Sequence, residues 1–355
     1  MQGEKLWTIG IVNFHTLDFL EYQLEILKEN NKNREYDIII VDNSSEPELE
    51  GLRELSHKYR NLKVIDNTKA AEPWMRGSGQ HGEGLDIVLE NTKTKYLLVH
   101  DPDFFWVGDN YLETLEVYLD DGCKCVGAPY RNYGGHDETG GIGAKDFPAA
   151  FGAAYKVSEI KNLGFMPAVD KDTYDKSNGT CWLAKDGADV GWKIRDRLSE
   201  NPYFSLEQRI NEDLCYLGSY AFETVPYEYR LNESDKLPIA YHLFRGSFGD
   251  DILSLTLHGK ISKTESLSDT RRKYGEYFHL MAKANSKSKY YWFRANLMIF
   301  SRKHKYGFDF VDLILDKIIY QPVVKITQKA LIYCEKGLYV VTHPVGFIAG
   351  KLNKK

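Results

Sequence analysis

The stretch Lys95-Tyr-Leu-Leu-Val-His-Asp-Pro-Asp-Phe-Phe-Trp106 joins an apolar run to two carboxylates that flank one proline. The apolar run predicts a buried strand. Because proline cannot donate to a central ladder, we expect the chain to leave the sheet at Pro102. Asp101 and Asp103 would then lie in the crevice beyond the strand end, where open α/β sheets bind their ligands.

Two carboxylates in this position suit Mg²⁺ or Mn²⁺, since such ions are held by one or two carboxylates together with substrate phosphates. The pattern itself is short, and its alternative interpretation is a solvated turn. A second copy, Asp170-Lys-Asp172, lies in a polar run with no apolar strand before it, and we interpret that copy as a surface loop. The preceding strand therefore makes Asp101 and Asp103 the candidate metal pair.

The sequence on either side alternates between strand and helix patterns. Predicted strands cover residues 6–14, 37–42, 62–66, 96–100, 125–129 and 149–155, and predicted helices cover 17–28, about 47–60, 84–91 and 187–198. The second strand is an unbroken apolar run, which is typical of parallel sheets covered on both faces. The alternation predicts a doubly wound α/β domain.

Charge is unevenly spread along the 355 residues. Residues 281–355 carry 14 Lys or Arg against 4 Asp or Glu, a net charge of +10, which leaves −15 for the first 280 residues of a chain with a total of −5. From about residue 251 the pattern becomes mainly helical, and we place a domain boundary near 250. The length suits one large domain with an appendage, or two domains.

Cysteine usage and hydropathy indicate a cytoplasmic protein. The five cysteines are an odd number without zinc-type spacing, which suits a reducing compartment better than a disulfide framework. We expect no secretory signal at the N-terminus, and no apolar run reaches the ~18 residues of a membrane span. Attachment to the inner face of the cytoplasmic membrane stays open for the basic, aromatic residues 285–355.

Five motifs follow one another in residues 5–250. They are Val12-Asn-Phe-His15, Val41-Asp-Asn-Ser-Ser45, His81-Gly-Glu-Gly-Leu85, Asp101-Pro-Asp103 and Asp189-Val-Gly-Trp-Lys-Ile-Arg-Asp-Arg197. Together they resemble the family 2 glycosyltransferases of the GT-A fold, in particular their rhamnosyltransferase-like bacterial branch. The resemblance implies a catalytic domain over 1–250, with a nucleotide-sugar half at about 1–130 and an acceptor half at about 131–250. A basic, aromatic-rich helical region would occupy 251–355.

The resemblance also implies a donor site. Asp42 would accept a hydrogen bond from N3–H of a pyrimidine base, which favours UDP- or dTDP-sugars; the alternative is a cap for the next helix. Asn13, His81 and Arg245 would line the same donor site.

The metal site that the resemblance implies has three ligands. Asp101 would face the ribose and the cation, and Asp103 would bind the cation directly. His242, in Tyr241-His-Leu-Phe-Arg-Gly-Ser247, would coordinate Mn²⁺ or touch the diphosphate, although a lone His after an apolar strand also suits a packing role. A Mn²⁺ or Mg²⁺ ion there would stabilise the charge that develops on the leaving diphosphate.

Asp189 would be the catalytic base, and the anomeric centre would then invert. The family has an acidic pair at this point, and Ala188 replaces its first member here. The alternative for Asp189 is a carboxylate at a helix start, stabilised by the helix dipole. The resulting hypothesis is a metal-dependent inverting glycosyltransferase that acts on a hydroxyl of a surface glycan or lipid-linked saccharide.

Other classes of protein stay open as alternatives. Because of Ala188, a non-catalytic glycan-binding module is the second hypothesis, and a nucleotidyltransferase is a weaker one, since Asn13-Phe-His-Thr16 contains no glycine of a phosphate loop. The string Gly77-Ser-Gly-Gln-His-Gly82 fits a dinucleotide fingerprint, but no predicted strand immediately precedes it. Residues 285–355 could also form a helical cap on the catalytic domain, and no nucleic-acid motif accompanies their charge.

Overall fold

The computed structural model describes residues 5–44, 46–68, 78–129, 146–166, 190–217, 226–243, 267–286 and 289–303. The strands are β1 (Trp7–Asn13), β2 (Tyr36–Asp42), β3 (Leu62–Asp66), β4 (Tyr96–His100), β5 (Phe104–Trp106), β6 (Cys125–Pro129), β7 (Pro148–Lys156), β8 (Tyr203–Ser205), β9 (Glu207–Ile210), β10 (Tyr227–Arg230) and β11 (Ala240–His242). The helices are α1 (Leu17–Asn30), α2 (Glu46–Lys58), α3 (Ser78–Asn91), α4 (Tyr111–Asp120), α5 (Val157–Ile160), α6 (Trp192–Leu198), α7 (Leu267–Ser286) and α8 (Lys289–Lys303), with a 3-10 turn at Glu212–Tyr216.

Seven of the described strands form the central sheet, in the order β3-β2-β1-β4-β7-β6-β8. β1 pairs in parallel with both β2 and β4, β2 with β3, and β6 with β8, whereas β7 runs antiparallel to β4 and β6. The predicted α/β fold, with a mostly parallel sheet between helices and helical segments near the C-terminus, is confirmed. Each predicted strand is present within two residues at either end, but α3 begins at Ser78, before its predicted start.

Helices cover both faces of the sheet, and β2 shows why its sequence is apolar throughout. Ile38 and Ile40 pack in one buried cluster, on the side of α1 and α2. Ile39 and Val41 point the other way, into a second cluster that includes residues of α3. Because successive side chains of a strand alternate between faces, a strand buried on both needs apolar residues at every position.

A second, antiparallel sheet lies beside the first, in the order β5-β11-β10-β9. Its first strand, Phe104–Trp106, begins directly after Asp103 and was not predicted. The three aromatic residues of β5 are buried. The chain therefore leaves the central sheet at Pro102, as predicted, and immediately enters another sheet.

The helix α7 packs against α1, although 236 residues separate the end of one from the start of the other. Arg271 is 3% exposed and donates to the carbonyl of His15 and, at 3.3 Å, to Oδ1 of Asp18. Phe278 packs against Phe105 and Tyr241, with ring centroids 4.5 and 5.0 Å apart. α7 thus supports both the loop after β1 and the strands β5 and β11.

The chain divides into two compact units, residues 1–295 and 296–355. The domain boundary near 250 stays a prediction. None of the helices in the described ranges is both long and apolar enough to span a bilayer.

We predict that Arg271→Met lowers the free energy of unfolding by about 2 kcal/mol, because the buried guanidinium is removed and the carbonyl of His15 and the carboxylate of Asp18 lose its hydrogen bonds. The neighbouring Arg272 is a matched control, since its ion pairs with Asp269 and Glu276 lie at the surface. Arg272→Met should change the free energy by less than about 0.5 kcal/mol. Urea denaturation measures both, and equal effects would contradict this account of α7.

Candidate active site

The predicted donor residues Asn13 and Asp42 lie side by side at the carboxyl ends of β1 and β2, where the strand register pairs them directly. Asn13 Nδ2 donates to Asp42 Oδ1 at 2.8 Å, and its own Oδ1 accepts from Thr16 N at 3.2 Å. Asn13 is fully buried, so its amide serves the protein framework and fixes the carboxylate beside it.

Asp42 itself is completely buried. Its Oδ1 also accepts from Ser44 N at 3.1 Å, whereas its Oδ2 has no hydrogen-bond partner within the described ranges. The bond to Ser44 closes a local turn of the kind that Asp favours. α2 begins only at Glu46, so the bond from Ser44 belongs to this turn and not to the first turn of the helix.

Asp101, Asp103 and His242 form a cluster in which one ligand atom from each residue lies within 4.8 Å of the others. The distance from Asp103 Oδ1 to His242 Nε2 is 3.4 Å. Within the described ranges, these three side chains have the spacing at which Asp, Glu, His or Cys residues could hold a metal ion. Two of the three candidate ligands come from one loop, and the third comes from a strand about 140 residues later.

Strand pairing brings His242 to the aspartates. β5 and β11 are antiparallel and place Phe104 opposite His242, and Leu243 N donates to the carbonyl of Asp103 at 3.1 Å. The imidazole packs against Phe151 and Phe104, with centroid distances of 4.6 and 5.3 Å. The predicted packing role and the predicted ligand role of His242 are therefore compatible.

Close packing continues behind the cluster at Gly152 on β7. A Cβ there would lie 2.5 Å from the ring of Phe104, so the ring rests directly on the strand backbone. Asp103 and His242 are 1% and 2% exposed, whereas the Asp101 side chain is 26% exposed. The cluster thus has a buried inner side and an accessible outer side.

His81 approaches Asp101 from α3, with 3.2 Å between Nε2 and Asp101 Oδ1. The helix lies close to β1, since a Cβ on Gly84 would be 2.7 Å from Val12. α3 starts at Ser78, well after β3 ends at Asp66, so the glycine string at its start does not occupy a tight turn between strand and helix. This arrangement differs from a dinucleotide fingerprint.

One buried residue that was not predicted contacts the loop of Asp101 and Asp103. Gln23 on α1 donates from Nε2 to the carbonyls of Asp101, Pro102 and Phe104, at 3.3, 2.8 and 2.9 Å. In the sequence, this contact was indicated only by a polar residue on the apolar face of a predicted helix, beside Leu20 and Leu24.

Asp189 and Arg245 lie outside the described residues, as do Asp170 and Asp172. The residues that flank the segment of Asp189 are held together: Gly191 N donates to Phe165 O at 2.9 Å. Asp86 of α3 accepts from the backbone N–H groups of Phe165 and Met166. Burial raises the pKa of the Asp86 carboxyl, and the two N–H donors oppose that rise.

No protein-family profile and no curated protein matches this chain. Solved structures do match it. The mannosyltransferase PcManGT from Pyrobaculum calidifontis, in complex with GDP-Man and Mn²⁺, is 16% identical with a TM-score of 0.36, over 49% of this chain and 52% of that one. S. aureus TarS 1–349 in complex with UDP-GlcNAc is 12% identical with a TM-score of 0.40, over 85% and 73%.

A third match is glucosyl-3-phosphoglycerate synthase from Mycobacterium tuberculosis, 18% identical with a TM-score of 0.35, over 48% of this chain and 66% of that one. Of the matched mannosyltransferase, this chain spans about half the length. Two of the three are thus named as a mannosyltransferase and a glucosyl-3-phosphoglycerate synthase, and the third was solved with a bound nucleotide sugar. At these identities and TM-scores the matches identify no activity for this chain, and the rhamnosyltransferase-like branch stays a prediction.

Proposed function

We propose that this protein is a metal-dependent inverting glycosyltransferase. It transfers a sugar from a UDP- or dTDP-sugar to a hydroxyl of a surface glycan or lipid-linked saccharide, in the cytoplasm. The observation that carries the proposal is the cluster of Asp101, Asp103 and His242 at the same sheet edge as the buried carboxylate of Asp42. A cation site next to a base-recognition group suits a nucleoside diphosphate.

The donor set fits the proposed cation. Two carboxylates and one imidazole suit Mn²⁺, and the carboxylates suit Mg²⁺. The cation would be held by Asp103 and His242 on the buried side and by Asp101 on the accessible side. When bound, it supplies positive charge that stabilises the leaving diphosphate.

Asp42 supports the choice of a pyrimidine nucleotide. One of its carboxylate oxygens is engaged by Asn13 and Ser44, and the other is buried without a hydrogen-bond partner within the described ranges, so an N–H donor of the base would satisfy it. Uracil and thymine both present N3–H, which can donate to this oxygen. A charge-assisted hydrogen bond of this kind is stronger than one between neutral groups.

The remaining roles fall to residues on the accessible side of the cluster and outside the described ranges. His81, 3.2 Å from Asp101, lies where it can donate to a phosphate oxygen. Arg245 follows His242 by three residues, and its guanidinium suits bidentate contact with a diphosphate. Asp189 precedes the buried Val190 and would accept the proton of the acceptor hydroxyl, which needs only an ionised, well-placed carboxylate.

We predict that Asp103→Asn abolishes metal-dependent binding of the donor, because the substitution keeps the size of the side chain and removes the charge that holds the cation. Isothermal titration with UDP-, dTDP- and GDP-sugars, with and without Mn²⁺, measures the effect. In the wild-type protein, UDP- or dTDP-sugars should bind more tightly than GDP-sugars.

The matched control for this titration is Asp109→Asn. Asp109 is an exposed carboxylate six residues further along the chain. Undiminished Mn²⁺-dependent binding by Asp103→Asn would remove the metal assignment. Tighter binding of GDP-sugars by the wild-type protein would remove the choice of a pyrimidine donor, since guanine also presents N–H groups that can donate to a carboxylate.

We predict that Asp189→Asn retains donor binding and lowers the rate of sugar transfer by about 10²- to 10⁴-fold, the usual contribution of a general base. Asp196→Asn, an exposed carboxylate on α6, is the control and should leave the rate unchanged. Normal transfer by Asp189→Asn would require another base.

The second candidate is a glycan-binding module without turnover, which Ala188 favours because the usual first acid is missing. It differs from the enzyme in one observable. Slow, Mn²⁺-dependent hydrolysis of a UDP-sugar by the wild-type protein contradicts a pure binding module, whereas glycan binding with no turnover contradicts the enzyme.

We also propose a membrane surface as a partner of residues 285–355. Their net positive charge and the exposed aromatic side chains of Trp292 and Phe293 on α8 suit an anionic bilayer.

We predict cosedimentation with anionic liposomes that weakens as salt is added, since salt screens the attraction. The double variant Trp292→Ala/Phe293→Ala should bind less, and Ile210→Ala, at another exposed apolar residue, should bind normally; absence of binding at any salt concentration would refute this partner.

A further inference from the structure

We propose that Gln23 is a positioning residue that holds the loop of Asp101 and Asp103 in the geometry that binds the cation. The inference rests on the proposed metal-dependent function. Gln23 is 6% exposed and lies on the face of α1 that packs against the sheet. Its neighbours on that face are apolar, so its amide has an unusual location for a polar group.

The bonds of Gln23 fix the orientation of its amide. Nε2 lies within 3.3 Å of the carbonyl oxygens of Asp101, Pro102 and Phe104, and carbonyls only accept hydrogen bonds. The two amide hydrogens are therefore shared among three acceptors. The amide oxygen must point away from the loop, because the three carbonyl oxygens there would repel it.

These contacts engage most of the backbone carbonyls of the loop. Of the four carbonyls from Asp101 to Phe104, three are bound by Gln23, and the fourth, that of Asp103, accepts from Leu243 N at 3.1 Å. On the other side of the loop, Asp101 N donates to Phe151 O at 3.0 Å. One side chain from α1 thus fixes the backbone on both sides of Asp103.

Such a contact matters for a cation because the two carboxylates repel each other before it binds. Loop residues that are free to move would separate and would have to be brought together again on binding. Groups that orient metal ligands typically change metal affinity by about 10- to 100-fold when they are removed. We assign to Gln23 an effect of that size.

The same helix contains a matched control. Asn30 of α1 is also buried, and its Nδ2 donates to the carbonyls of Val107 and Gly108 at 2.9 and 3.0 Å. These carbonyls follow β5, so Asn30 has the same chemistry on the far side of that strand. A general loosening of the contact between α1 and β5 would affect both residues, whereas a role in cation binding belongs to Gln23 alone.

The test compares Gln23→Met with Asn30→Leu in the full chain. Thermal unfolding should show similar losses of stability for the two variants. Titration of Mn²⁺, alone and in the presence of UDP, should show a Kd raised about 10- to 100-fold for Gln23→Met and unchanged for Asn30→Leu. If Gln23→Met fails to fold, the pair Gln23→Ala and Asn30→Ala replaces it, since alanine also removes the donors and adds neither charge nor bulk.

Each outcome is decisive. Equal Mn²⁺ affinity in the wild-type protein and the Gln23 variant overturns the positioning role and leaves the proposed function standing. An equal loss in both variants also overturns it, because the effect would then be general loosening. Absence of Mn²⁺ binding by the wild-type protein overturns the inference together with the proposed cation site.

Discussion

The antiparallel pairing of β5 with β11 is the interaction on which the rest of the site depends. It places Phe104 opposite His242 and so brings an imidazole to within 3.4 Å of Asp103. The central sheet alone would present the two aspartates to solvent, without a third ligand. A short second sheet therefore converts a pair of carboxylates at a strand end into a partly buried cluster with an imidazole.

The carboxylates of the site are buried, and a buried carboxylate destabilises the fold unless it has partners. Burial of a carboxylate removes favourable hydration that packing does not replace, so the buried charge is destabilising unless hydrogen bonds or an ion compensate for it. Asn13 compensates one oxygen of Asp42, and the second oxygen has no partner within the described ranges. Asp103 is buried as well, 1% exposed beside His242. In the proposed function, the N–H of a nucleobase would meet the second oxygen of Asp42, and a cation would meet Asp103.

The sequence predicts the central sheet well because β2 and β4 are almost continuously apolar, and such short runs between helical patterns are typical of strands covered on both faces. It also predicts the exit from the sheet at Pro102. The strand β5 escaped prediction because three residues show no periodicity, and its partner β11 comes from another part of the chain. Gln23 escaped because an isolated polar residue in an amphipathic helix does not reveal which carbonyls it will meet. Long-range pairing is what local patterns leave undetermined.

The sequence distance between Asp103 and His242 has a consequence for synthesis on the ribosome. At typical rates of about 5–20 residues per second, roughly 7–28 seconds pass between the emergence of the two residues. Arg271, which binds the loop after β1, emerges later still. During that interval the aspartate loop is part of a nascent chain whose imidazole, second sheet and supporting helix do not yet exist. The cluster is therefore completed late: a chain that stops short of His242 carries the aspartates without the imidazole beside them, and one that stops short of α7 lacks the helix that supports β5 and β11.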